Sequence, residues 1–245
     1  MESNIENKMT LPVLNGMIDR RILVNYKVEP EVIKRLLPAG MEPLVINGYA
    51  SAGICLLRLK DMGMRYAPRF LRVTSENAAH RFLVRYVHQG REVRGVYIPR
   101  RDTDSFLNIA VAGKIFSWPY YPAHFEVSEE KGLYDVKMQS KDGKIHVHVC
   151  AERANVFPGT SMFESLEEAS NCFRRCSVGV SPSTRLHRLK MIELKTKTWN
   201  VTPLNLFLLQ SSYFDDRSIF PQGDIFFDSA LLMEGVEHEW ESYAV

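Results

Sequence analysis

Val45-Ile46-Asn47-Gly48-Tyr49-Ala50, running on without a break into Ser51-Ala52-Gly53-Ile54-Cys55-Leu56-Leu57-Arg58-Leu59, is the stretch on which the fold turns. Asn47-Gly48 suits two successive positive φ angles, so it predicts a tight hairpin turn. The run behind it, Tyr49 to Leu59, reads as a strand, as do Arg20 to Val28, Arg81 to Val87 and Arg94 to Ile98, all rich in β-branched and aromatic residues. His88-Gln89-Gly90-Arg91 reads as the hairpin turn between the last two. Further strands are predicted over Ala123 to Val127, Tyr134 to Gln139 and Ile145 to Ala151, the last two joined through Asp142-Gly143. Leu189 to Leu194, Thr198 to Leu209 and Asp228 to Met233 add more. Such a succession of hairpins predicts antiparallel sheet, curled or closed so that few edges stay open.

Three helices interrupt the strands. Glu29-Pro30 opens one through Leu37, with proline in the first turn, where its missing N–H costs nothing. Asp102 or Thr103 caps a second through Phe116, in which Phe106, Leu107, Ala110, Val111 and Ile115 follow a helical period and Trp118-Pro119 stops it. Ser165 caps a third, with Glu168 three residues on as a capping box, to about Arg175. The fold class is therefore mainly β, of the α+β kind, with a few helices packed at the sheet ends.

Composition narrows the function classes. At 245 residues, with 45% hydrophobic and 11% aromatic side chains, the chain fills a substantial core as one domain over residues 1–245, with 1–15 and 240–245 peripheral. A formal net charge of +2 supplies no long-range field, so neither nucleic acid nor an anionic membrane is an expected partner. Glu2, Glu6, Lys8 and Asp19 break the first twenty residues, which do not read as a signal peptide. No apolar run approaches the ~20 residues of a spanning helix. The cytosol is the expected compartment, and Cys55, Cys150, Cys172 and Cys176 are expected to be reduced. Cys172 and Cys176 share a helix face four residues apart; the spacing suits a metal or redox pair, and core packing suits it better.

Motifs for ATP hydrolysis, serine hydrolysis and zinc proteolysis are absent from the sequence. His146, His148 and Cys150 point to one face of a strand, a start for a zinc site or simply a polar strand face. The latter is favoured, and no metal or other cofactor is expected. The denser constellation runs from Glu76 to Tyr121. His80 leads into one strand, and Arg100, Arg101, Asp102 and Asp104 mark a strand-to-helix junction. An arginine fork beside a helix N-terminus binds carboxylates. The same residues can equally cap the helix and pair with one another at the surface.

Asn77-Ala78-Ala79-His80-Arg81, Gly95-Val96-Tyr97-Ile98-Pro99-Arg100-Arg101-Asp102-Thr103, Gly113-Lys114-Ile115-Phe116 and Pro119-Tyr120-Tyr121 together resemble an uncharacterised bacterial branch of the acetoacetate decarboxylase-like superfamily. Ser211-Ser212-Tyr213-Phe214-Asp215-Asp216 and Phe227-Asp228-Ser229-Ala230-Leu231-Leu232-Met233 are similar to it too, so the likeness spans about residues 18 to 240. It implies a cone-shaped antiparallel β-barrel with flanking helices and an interior pocket. In the decarboxylase a Gly-aromatic-Pro-Lys-Lys turn carries the Schiff-base lysine; the matching Ser117-Trp118-Pro119-Tyr120-Tyr121 has tyrosines at both lysine positions. A phenol forms no imine, so decarboxylation by that route is not expected here. Lys114 lies nearby in sequence but on the preceding helix.

The resemblance leaves a pocket for a small organic acid. Tyr120 and Tyr121 would polarise a carbonyl or orient a hydroxyl, His80 or Glu76 would act as base, and Arg100, Arg101 and Trp118 would hold the substrate. A non-Schiff-base lyase, hydratase or isomerase acting on a keto or hydroxy acid is the first reading. A non-catalytic ligand-binding or sensing module and an interaction protein with a filled barrel are the alternatives. Homo-oligomerisation stays open.

Overall fold

The computed structural model describes residues 13–243 except 67, 113–118 and 183–188. Thirteen described strands form one sheet. They are β1 (Leu14–Val28), β2 (Met41–Pro43), β3 (Val45–Ile46), β4 (Tyr49–Met64), β5 (Val73–His88), β6 (Arg91–Thr103) and β7 (Tyr120–Glu130), then β8 (Leu133–Ser140), β9 (His146–Arg153), β10 (Val178–Pro182), β11 (Leu189–Thr196), β12 (Thr202–Ser211) and β13 (Ile225–Tyr243). Two described α-helices accompany them, α1 (Pro30–Leu36) and α2 (Leu166–Arg175).

Local chemistry sets the hairpins. Asn47 and Gly48 take φ values of 47° and 88°, and β3 pairs antiparallel with β4 across them. Gln89-Gly90 repeats the device between β5 and β6, with φ values of 49° and 76°. Ser165 caps α2 by accepting from the Glu168 amide at 3.1 Å, while the Glu168 carboxylate accepts from the Glu164 amide at 2.7 Å.

The strand order is β11-β10-β6-β7-β8-β9-β12-β13-β1-β4-β5-β2, with β5 also paired to β6 and β11 also paired to β13. The path therefore closes twice. One ring runs β6-β7-β8-β9-β12-β13-β1-β4-β5, the other β13-β11-β10-β6-β5-β4-β1. Their common wall is β1, β4, β5, β6 and β13. Most described pairings are antiparallel; β6 pairs parallel with β7 and with β10, which hairpin reading alone does not announce.

Period-two alternation sends the two faces of this wall into different apolar clusters. Ile22, Val24 and Tyr26 of β1, Ile54 and Leu56 of β4, Ala78 and Phe82 of β5 and Leu232 of β13 belong to one, closed off by Phe214 and Phe220 from the chain after β12. Leu23, Cys55, Leu83 and Leu231 belong to the other, together with Phe173 and Cys176 of the α2 region.

The predicted helix from Asp102 or Thr103 through Phe116 does not begin there. β6 continues to Thr103, because Arg101, Asp102 and Thr103 pair with Ala79, Ala78 and Asn77 of β5 and are buried. Ser105 is the capping residue instead, its hydroxyl accepting from the Asn108 amide at 3.2 Å, and a π-helical turn follows over Asn108–Ala112. Phe106 and Leu107, read as apolar helix positions, are 77% and 50% exposed. Ile115, Phe116 and Lys114 lie outside the described residues.

Candidate functional site

His80 sits in β5 with its side chain on the larger ring's interior, in phase with Ala78 and Phe82. It is fully buried, and neither ring nitrogen has a hydrogen-bond partner among the described residues. Its ring lies 4.7 Å from that of Tyr213 and 5.7 Å from that of Phe214, between centroids. Burial, reinforced by the nearby Arg100 charge, pulls its pKa down from 6.5 to about 3. A neutral imidazole has one donor and one acceptor, and both are held here away from water. Burial also pushes the Tyr213 phenol up to about 12, which leaves it a hydrogen-bond donor at neutral pH.

Arg100 pairs across the sheet with His80. Its guanidinium is divided between two carboxylates, Asp102 at 2.7 Å and Asp142 at 3.0 Å, and stacks on Tyr121 with 4.1 Å from its central carbon to the ring centroid. Asp102 is fully buried, and burial raises its pKa against the opposing pull of Arg100. The hydrogen bonds of Arg100, with that of Ser140, hold Asp142 well below the usual carboxylate range. Arg100 is thus a neutralised cation. A ligand carboxylate would reach it at least cost by displacing Asp142, whose side chain is 29% exposed, and not the buried Asp102.

Arg101 and Tyr120 lie on the opposite face. They are neighbours across the parallel β6–β7 pairing, and Arg101 donates to the Ser181 hydroxyl of β10. Tyr120 packs beside Ile192 and Trp240. Burial raises its pKa, and Arg101 opposes the shift. The structure therefore brings His80, Arg100 and Tyr121 together and separates them from Arg101 and Tyr120. The predicted single constellation is divided because neighbouring positions on one strand face opposite sides of the sheet. Trp118, predicted to hold substrate, lies outside the described residues.

Glu76 is committed to an ion network. It accepts from Arg20 at 2.5 Å and from Arg58 Nε at 2.6 Å, and both arginines also pair with Glu129 of β7. The Arg20 side chain is 1% exposed, so Glu76 and Glu129 are its counter-ions before they are anything else. Sequence reasoning missed this network and Asp142. The available signal for Arg20 was its parity, shared with the inward Ile22, Val24 and Tyr26. Beside it, the Asn108 amide donates to Ser75, Asn77 and Thr103, tying the π-helical turn to β5 and β6.

On β9, Val147 and Val149 are buried while His146 is exposed and His148 and Cys150 are half-buried. His148 Nε2 is 2.9 Å from Asp135. Among the described residues no group of three or more His, Cys, Asp or Glu side chains converges on one point. No helix among them is long and apolar enough to cross a membrane. Two clefts, of about 490 and 460 Å³, lie away from His80: one between α2 and β3, the other beside His238 and Lys197.

The architecture matches solved structures over nearly its full length. It is similar to the acetoacetate decarboxylase of Legionella pneumophila (TM-score 0.62, 14% identity, 98% of this chain and 90% of that one). It is also similar to the enduracididine biosynthesis enzyme MppR (TM-score 0.58, 12% identity, 98% and 90%). A third likeness is to an acetoacetate decarboxylase-like enzyme of Sphingomonas wittichii RW1 (TM-score 0.55, 11% identity, 95% and 90%). At these identities the likeness is one of fold. No curated protein matches the chain in sequence. A mainly β chain with this double-ring fold, matched over residues 17–222 by the model of a family described as "Uncharacterized conserved protein", belongs to that family, DUF2071.

Proposed function

We propose that the protein binds a small keto or hydroxy acid inside the larger ring, beside His80, and that any turnover proceeds without a Schiff base. The observation that carries this reading is the His80 ring, fully enclosed and neutral, with two nitrogens unpartnered among the described residues. An orphaned buried polar group is costly, and a bound polar ligand would remove that cost. Tyr213 supplies a second donor, and Arg100 a guanidinium that a ligand carboxylate reaches in place of Asp142. Support also comes from the neighbours: one is an acetoacetate decarboxylase, and another was solved with pyruvate bound. Tyrosines at the two lysine positions of the resembled turn favour binding or acid–base chemistry over imine formation.

Calorimetry against a panel of small keto and hydroxy acids tests the reading. Binding that weakens on His80→Ala and strengthens on Asp142→Asn, which frees Arg100, is the expected result. No binding across the panel overturns it. A lysine adduct trapped by borohydride with pyruvate would overturn the non-Schiff-base part. Turnover of a bound acid, lost on His80→Ala or Tyr121→Phe, would make the site catalytic. A second reading, a ring filled by its own side chains and acting without a ligand there, is favoured by the close packing of His80 against Tyr213 and Phe214.

A further inference from the structure

Three of the four cysteines gather around one buried guanidinium, on the face of β5 opposite His80. Arg81 is 3% exposed and lies with its central carbon 4.9 Å from the Phe173 ring centroid. Its hydrogen-bond partners among the described residues are the Asn25 amide oxygen and the Cys55 thiol, neither of them a carboxylate. Its Nε has no partner among the described residues. The same charge acts on Cys172 and Cys176.

Cys172 and Cys176 stand one turn apart at the end of α2, and they differ in access. Cys172 is half-buried, whereas Cys176 is 5% exposed. Both border the cleft of about 490 Å³ that also takes in Arg94, Asn171 and Arg175. Cys176 is the C-cap, with φ −92° and ψ 49°, so it is already released from helical geometry. A hydrogen bond from Cys176 holds the Cys172 pKa down, helped by Arg94 and Arg81 and opposed by burial and Glu168. Cys176 is pushed up by Cys172 and by burial. The accessible sulfur is the better nucleophile and the enclosed one keeps its proton, the division of labour of an attacking and a resolving thiol.

We propose that Cys172 and Cys176 are a thiol pair oxidised by hydroperoxides, with Cys172 attacking in the cleft and Cys176 resolving from behind it. In the first step the Cys172 thiolate attacks a peroxide oxygen. An S–O bond forms, the O–O bond breaks, and the leaving oxygen takes a proton to depart as water or an alcohol. Cys172 is oxidised to a sulfenic acid as the peroxide is reduced. In the second step Cys176 attacks the Cys172 sulfur, the S–O bond breaks, and hydroxide leaves as water with the Cys176 proton. Helical geometry places residues four apart with Cα atoms about 6 Å from each other, inside the span a disulfide tolerates. Drawing the Cβ atoms closer requires only the last turn to shift, where Cys176 is not helical.

The test is hydrogen peroxide titration of the full chain, followed by peptide mass spectrometry of all four cysteines. The expected result is a Cys172–Cys176 disulfide formed at lower peroxide than any oxidation of Cys150, which is half-buried and has its pKa raised by burial and Asp135. This ordering needs no variant. In Cys176→Ser, which removes the resolving thiol and keeps a hydrogen-bond donor, Cys172 should accumulate as a sulfenic acid trapped by dimedone; in Cys172→Ser, Cys176 should stay unlabelled. Oxidation of Cys150 at equal or lower peroxide, or no dimedone adduct on Cys172 in folded Cys176→Ser, overturns the proposal.

Discussion

The guanidinium carbon of Arg100 stands 4.1 Å from the ring centroid of Tyr121. With Asp102 and Asp142 on its edges, the arginine is satisfied by charge in its plane and by π density on its face. The cation–π contact links β6 to β7 where the two strands run parallel. Tyr121→Phe should keep this contact and leave stability nearly unchanged, whereas Tyr121→Leu should cost about 0.5–2 kcal/mol. Urea denaturation of the two variants side by side measures the difference.

The buried histidines make stability depend on acid. His80 keeps a folded pKa of about 3 and His238 of about 4, both down from 6.5 through burial. Between 6.5 and these values the unfolded chain binds protons that the folded chain refuses. Stability is therefore full above pH 6.5 and falls as the pH falls, by up to about 1.4 kcal/mol per pH unit for each histidine. His80→Leu should lower the slope by one proton's worth between pH 6 and 4, read from urea midpoints across roughly that range. An unchanged slope would show that His80 is protonated in the folded chain.

Arg20 is the most enclosed cation of the ion network. Removing one counter-ion by Glu76→Ala should destabilise the chain by about 3–5 kcal/mol, reduced to the extent that Glu129 compensates. Arg58→Ala should cost less, because the Arg58 side chain is 23% exposed and its loss leaves Arg20 with both carboxylates. Paired thermal and chemical denaturation distinguishes the two.

Gly95 lets β10 approach β6. A Cβ there would lie 2.6 Å from the Val178 carbonyl oxygen, a backbone atom with no rotamer to escape into. Gly95→Ala should therefore force apart the parallel pairing of Val178, Gly179 and Val180 with β6. Hydrogen exchange should show protection lost on Gly179 and Val180 of β10 before it is lost where β6 pairs with β5.

Much of the architecture was written in local chemistry. Asn47-Gly48, Gln89-Gly90 and the Ser165–Glu168 box each act within a few residues, so they are readable from a short window. Ring closure is not, since β5 on β6 is a hairpin but β11 on β13 and the parallel β6–β7 ladder pair segments that no tight turn joins. The helix expected from residue 102 failed for the same reason: Asp102 and Thr103 have good caps' chemistry, and tertiary pairing with β5 outweighed it. In the candidate site, parity separates Arg100 and Tyr121 from Arg101 and Tyr120, a division the sequence reading did not draw, and the meeting of Arg100 with His80 depends on the register of β5 on β6. Asp142 was not legible, because it reaches Arg100 from a turn 42 positions away.

The wall shared by the two rings carries two messages in one strand. Along β5, Ala78, His80 and Phe82 address one compartment, while Ala79, Arg81 and Leu83 address the other. Substitution at alternate positions can then change the surroundings of His80 without disturbing the arginine beside the cysteines, and the reverse. A single-residue insertion, by contrast, would exchange the contents of both compartments at once. Length in these five strands should be far less free to vary than composition.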